Sequence, residues 1–214
     1  LFIRAFKSGD NLFPVDAEGF FQHADIDPSV TYAAMEKLVD AGKVRAIGIS
    51  NFSRGRMDDL LAKVRIPPAV NQVELHPYFG QPDFIAYCRS KNILVEAYSP
   101  LGNNQTGDAR PVDDPRVAEL AKDLGLDVGQ LLYSWGVQRG TVVLPKSVTP
   151  SRIRSNLAVV ELPADAVAKL DAMEKNSRLH WQHHWGYDIF QEVGADKVKE
   201  LAKAAAPTNL QKFG

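Results

Sequence analysis

The sequence holds a single cysteine, Cys88, in 214 residues. No internal disulfide framework is possible, and a reducing, cytoplasmic setting is expected. The opening LFIRAFKSGD has no long apolar stretch and no small-residue cleavage site, so it does not read as a secretory leader. No apolar run approaches the ~18 residues of a membrane-spanning helix. Neither sign of charge dominates: 25 Lys+Arg stand against 26 Asp+Glu, a net charge of -1. That balance argues against a nucleic-acid partner, which calls for a basic face. The glycine fingerprint GxGxxG of the doubly wound dinucleotide folds is missing. Low-complexity segments and an interdomain linker are missing too. The run HWQHHW brings His180, His183 and His184 together without a neighbouring carboxylate or thiol, so no metal site is expected. The chain opens on Leu rather than Met, and a fragment or incomplete gene product is the expectation.

What remains is ordinary globular material, 45% hydrophobic and 24% charged. At this length about 70% of the unfolded surface can be buried, enough for one domain, or two small ones at most. Residues 1–28 lack periodicity and carry turn formers (Gly9, Pro14, Gly19, Pro28), which predicts a long surface loop, with LFI as the tail of a strand. Regular alternation follows. A helix is expected over 30–41, stopped by Gly42. Strands are expected over 44–51, 69–75 and 93–99, separated by helices over 53–64 (capped by Ser53) and 81–91. The strands start about every 24 residues, the repeat of a parallel βα array. A turn-rich loop over 102–113 precedes helices over 115–124 and 128–138, a strand at 141–145, a short helix capped by Thr149, and a helix over 163–174. Residues 177–214 read as a C-terminal loop and tail, with a last helix over 195–205.

The strands are near-continuous apolar runs, as when both faces are covered. Their polar residues gather at the C-terminal ends: Ser50 and Asn51, Gln72 and Glu74, Tyr98 and Ser99, Lys146 and Ser147. That is the pattern of an active-site face on a parallel (β/α) barrel of the TIM type. Taken singly, Ser50–Asn51 reads as a helix cap, Tyr98 as core and Lys146 as a solvated cation. Together they offer amides for a carboxamide, an aromatic face for a ring, and cations at a helix start for a phosphate. A ligand with an amide-bearing ring at one end and a phosphate at the other is NADP(H). Cys88 is expected as a small buried hydrophobe, and His76 as structural.

The segments GKVRAIGISNFS (42–53), PPAVNQVELHPYF (67–79), ILVEAYSPLG (93–102) and VVLPKSVTPSRIRSN (142–156) resemble the aldo-keto reductases, in that family's order. The resemblance implies a (β/α)8 barrel that reduces aldehyde, ketone or sugar-type carbonyls with NADPH. It further implies that Ser50, Asn51 and Gln72 hold the nicotinamide carboxamide and that Tyr98 stacks on the ring. Ser99, Leu101 and Asn103 fall where the family touches the pyrophosphate. Lys146, Ser147, Val148, Thr149 and Arg152 fall at the adenosine 2′-phosphate, and Asn156 at the adenine. Ser155 replaces a commonly acidic residue. Trp181, Trp185 and Tyr187 either line the substrate pocket or cover the barrel.

The family's catalytic Asp, Tyr, Lys and His lie on its first four strands. Aligned through AFK at 5–7, Leu1 stands where that His belongs. The expectation is therefore strands five to eight of the barrel plus the C-terminal tail, with cofactor residues and no catalytic ones. The alternative is a non-catalytic NADP(H)-binding or interaction protein. If this half-barrel is the whole chain, open strand edges near 46–50 and 141–144 and an apolar inner face should make it self-associate as a dimer or leave it an aggregation-prone, loosely packed monomer.

Overall fold

Asp27 accepts the Ser29 N–H at 2.9 Å, Pro28 takes the first helical position, and α1 (Pro28–Asp40) follows. The computed structural model describes residues 1, 3–104, 107–180 and 185–214. They fall into two compact units: residues 1–69 with 185–214, and residues 70–180.

In the first unit α1 buries Tyr32 and Glu36. The Glu36 carboxylate accepts the N–H groups of Arg65 and Ile66, both at 2.7 Å, and so fixes the turn after α2 (Arg54–Leu61). α2 starts where expected: the Ser53 hydroxyl accepts the Arg56 N–H, while Met57 and Leu60 go inward. The short strand β1 (Gly48–Ser50) carries buried Ile49. Leu1 pairs with it: the Leu1 amine donates to the Gly48 carbonyl at 2.8 Å, and the Ser50 N–H donates to the Leu1 carbonyl at 2.7 Å. The β1 edge expected to be open therefore has Leu1 as a backbone partner.

Residues 1–28 are more ordered than a surface loop. Antiparallel bridges join Phe6 to His23 and Val15 to Phe21, and Lys7 and Ala24 donate to Gln22 and Ala5. Packing between remote residues, which periodicity cannot reveal, supplies the reason. Phe6 meets Phe13, Phe21, His23 and Trp185, while Phe213 closes on Phe13 and Phe21.

The last helix, α8 (Ala195–Phe213), continues through Pro207 instead of ending at 205. Its buried stripe of Val198, Ala202, Ala206 and Asn209 spans the proline. Asn209 donates to the Gly19 carbonyl at 3.1 Å. Tertiary contact on both sides of Pro207 outweighs its missing N–H.

The second unit is a parallel sheet of β2 (Val70–Glu74), β3 (Leu94–Tyr98) and β4 (Val142–Val143), in that order. Val70 pairs with Leu94 and Glu74 with Tyr98, so the C-terminal ends of β2 and β3 are level. α3 (Pro82–Ser90) connects them and buries Ile85 and Cys88, the latter the apolar filler anticipated. A 3₁₀ turn (Pro111–Asp113), α4 (Pro115–Asp123) and α5 (Val128–Gln138) lead to β4. Asp114 and Asp127 cap α4 and α5 through the N–H groups of Arg116 and Gln130. α6 (Pro150–Ser155) and α7 (Ala164–Asp171) complete the unit.

Trp135 of α5 is buried and donates its indole N–H to Asp171 at 2.9 Å. Arg139 stacks on that indole, donates to the same carboxylate, and also donates to the Gly80 carbonyl. Among the described residues, no helix is long and apolar enough to cross a membrane.

Candidate cofactor site

Side chains alternate along a strand, so Gln72 and Glu74 of β2 share one sheet face with Glu96 and Tyr98 of β3. Asn71, Val73, Val95 and Ala97 take the other face and are buried. The first face is polar at its C-terminal end. Gln72 donates its amide N–H to Glu96 at 2.6 Å, which turns the amide oxygen to the opposite side. Tyr98 is half-buried, so its ring is neither core nor fully solvated. Ser99 then turns the chain in a left-handed conformation (φ 50°). Gly102 does the same at φ 86°, and a Cβ there would meet Pro111 Cδ at 2.7 Å and Arg110 Cβ at 2.9 Å. This turn presents Leu101 and Asn103, both half-buried.

Glu74 is wholly buried and carries the densest contacts of the site. One oxygen accepts the Leu179 N–H at 2.7 Å and faces His76 Nε2 at 2.9 Å. The other accepts the His180 N–H at 3.1 Å, with the Arg178 guanidinium at 3.6 Å. Burial alone would push this carboxyl up. The bond and charge of His76, the Leu179 N–H and the Arg178 charge more than offset that and hold it below the usual carboxylate range. His76 is structural, as expected.

Residues 175–180 are thereby laid along the end of β2. Lys175 and Ser177 donate to the Tyr78 carbonyl, and Arg178 stacks on Phe79. His180 arrives beside the expected cofactor residues. Its ring meets Tyr98 edge-on with centroids 5.5 Å apart, and its Nδ1 lies 3.4 Å from the Asn103 amide nitrogen. Burial, aided by the Arg178 charge and opposed by Glu74, moves the His180 imidazole below its ordinary pKa.

Beyond β4 the Leu144 N–H donates to the Ala97 carbonyl at 3.1 Å. Lys146 thus leaves the sheet at the same end as Tyr98. Lys146 and Arg152 are exposed, and Val148 is 80% exposed. Thr149 does not cap α6 with its side chain as expected. Ser147 Oγ accepts the Thr149 N–H at 3.1 Å, and Arg152 donates to Thr149 Oγ1 at 2.8 Å. The turn is held by its own hydroxyls, with the guanidinium folded back over it. Asn156 ends α6, half-buried.

In the first unit Ser50 ends β1, and buried Asn51 follows at φ 60°, a left-handed residue directly after a strand. Trp185 and Tyr187 belong to the aromatic packing of that unit: Trp185 against Phe6 and Phe21, and buried Tyr187 against His23 and Arg4. Trp181, His183 and His184 lie outside the described residues. Among those described, no group of three or more His, Cys, Asp or Glu is placed to hold a metal.

Sequence reasoning singled out Gln72 and Tyr98 but gave Glu96, Arg178 and His180 no part in the site. The period-2 spacing of Gln72 and Glu74 was the available signal for a shared polar face. Nothing in the sequence pairs Glu74 with residues more than 100 positions away.

Comparison with known proteins follows the same lines. The sequence profile described as the Aldo/keto reductase family matches residues 10–175. Over 181 residues the chain is 42% identical to Aldo-keto reductase family 1 member A1-A of Danio rerio. Over the same length it is 40% identical to Aldo-keto reductase family 1 member A1 of Rattus norvegicus and 41% to that of Sus scrofa. Each alignment covers 81% of this chain and 56% of the relative, so the chain spans about half the length of the curated relatives it matches. A parallel α/β architecture, polar groups at the strand ends and a match across most of the sequence agree, and the chain belongs to the aldo/keto reductase family.

Proposed function

We propose that this chain serves an NADP(H)-dependent oxidoreduction of an aldehyde, ketone or sugar-type carbonyl, and that its 214 residues carry the cofactor end of that reaction. The residues correspond to strands five to eight of a (β/α)8 barrel and its C-terminal tail. The observation that carries the reading is the level end of β2 and β3, where Gln72 and Tyr98 share a face, with the Lys146–Arg152 turn leaving the sheet at that same end.

The residues fit the cofactor chemically. Glu96 orients Gln72 so that its oxygen can accept from a carboxamide NH₂. By the family resemblance alone, Ser50 and Asn51 are assigned to a carboxamide. Tyr98 offers a ring face to the nicotinamide, and Ser99, Leu101 and Asn103 border the pyrophosphate. Lys146, Ser147, Val148, Thr149 and Arg152 form a cationic, hydroxyl-rich turn for a 2′-phosphate, with Asn156 toward the adenine. When bound, the cofactor supplies the hydride, and the protein binds and orients it. No catalytic residue is assigned within the chain.

A second reading is an NADP(H)-binding protein that performs no reduction. Fluorescence titration with NADPH and NADH tests the site. A 2′-phosphate adds about two negative charges, so NADPH should bind more tightly. Lys146→Ala should weaken NADPH by about 1–3 kcal/mol and barely touch NADH. Equal losses for both cofactors would refute the assignment. With no catalytic residue assigned, the purified chain should not reduce aldehydes with NADPH above background. Steady turnover abolished by Tyr98→Phe would overturn the absence of a catalytic residue.

A further inference from the structure

Glu74, His180, Tyr98 and Asn103 form a continuous chain of contacts that the cofactor assignment does not use. The wholly buried Glu74 carboxylate accepts the backbone N–H of His180 at 3.1 Å and that of Leu179 at 2.7 Å. Two bonds to adjacent amides fix both the position and the orientation of the backbone that carries the imidazole. The imidazole in turn touches the two side chains assigned to different parts of the dinucleotide. It meets the Tyr98 ring at 78° with centroids 5.5 Å apart. The Asn103 amide donates to its Nδ1 across 3.4 Å, a long bond that requires the neutral tautomer with the proton on Nε2.

From this geometry we infer that His180 is a positioning residue of the cofactor site: anchored by Glu74, it holds the Tyr98 ring and the Asn103 amide in place for the nicotinamide–pyrophosphate half of NADP(H). The inference rests on the cofactor reading above. It adds that the C-terminal segment, and not only the strand ends, shapes that half of the site. Its influence is confined to one end of the ligand, because Ser147, Thr149 and Arg152 are braced by their own local contacts.

That asymmetry gives the test. Calorimetric titration of the 214-residue chain uses two probes, NADPH and adenosine 2′,5′-bisphosphate, which has the phosphate end but no nicotinamide. His180→Ala should weaken NADPH by about three- to tenfold, as for a neutral hydrogen bond together with a ring contact. The bisphosphate should change by less than about twofold. His180→Asn, whose side-chain oxygen can accept from Asn103, should recover part of the loss. If His180→Ala loses its cooperative melt, His180→Leu, of closer volume, carries the measurement with the same expectation.

Equal weakening of both probes would mean a general structural role and would overturn the inference. Unchanged NADPH affinity in His180→Ala, alongside a clear loss in Tyr98→Ala, would overturn it while leaving the Tyr98 assignment standing. Unchanged affinity in Tyr98→Ala would bring down the cofactor reading itself, and this inference with it.

Discussion

Glu74→Gln is the most informative single change, because the two side chains have nearly the same shape and differ only in what they offer their neighbours. The carboxylate accepts from Leu179, His76 and His180 and stands 3.6 Å from Arg178, and it is wholly shielded from solvent. An amide has one acceptor oxygen. With that oxygen toward Leu179 and His76, the NH₂ faces the His180 N–H and the guanidinium, donor against donor. Flipped, it opposes Leu179 and His76 instead. Either way at least one bond to a charged acceptor is lost, worth about 1.5–3 kcal/mol. Arg178, itself 5% exposed, also loses its counter-charge. Removing one member of a buried ion pair costs about 3–5 kcal/mol.

These losses overlap, since they share one side chain, so about 3–5 kcal/mol is the expected total. At roughly 2–4 °C per kcal/mol for a chain of this size, the melting temperature should fall by about 6–20 °C. Urea titration followed by circular dichroism measures it, with an unchanged slope showing that the folded state is otherwise intact. Adding Arg178→Met to Glu74→Gln should cost less than Arg178→Met does alone, because the Glu74 charge it faces is already gone. A loss below about 1 kcal/mol in the single variant would refute the buried network as described.

Gly102→Ala should destabilise by about 2 kcal/mol or more, combining left-handed strain with the approach to Pro111 and Arg110; a neutral melt would contradict that turn. Pro207→Ala should stabilise the chain by about 1 kcal/mol or more, restoring an N–H inside α8; a drop in the urea midpoint would show that the proline is not in a continuous helix. Stability should fall with acid in two windows. His23 and His180 are held down chiefly by burial, so the unfolded chain takes up their protons first and stability drops as pH falls below about 6.5. Glu74 and Asp114 are also held down, the first against the pull of burial by its partners and the second by its Arg116 bonds. Their contribution is complete above about pH 5, beyond both unfolded values, and is lost as pH falls through their folded values. A urea midpoint flat from pH 7 to 3 would contradict both.

The sequence by itself determined the alternation of strands and helices. Apolar periodicity and capping residues are local signals: Ser53, Asp114 and Asp127 mark helix starts where the structure has them. The family motifs and the strand-end residues Gln72 and Tyr98 were legible in the same way, because a strand end is a position along the chain. Tertiary structure decided what depends on residues far apart in sequence. The excursion over 1–28 is ordered by a cluster that includes Trp185 and Phe213, and α8 runs through Pro207 because Asn209 reaches Gly19. Thr149 carries the residue type of a cap, yet Arg152 takes its hydroxyl and Ser147 accepts its N–H. The Glu74–His180 tether joins residues 106 positions apart. Hydrogen bonds and ring contacts at that separation have no periodic trace in a sequence, because only the folded backbone brings the partners within reach.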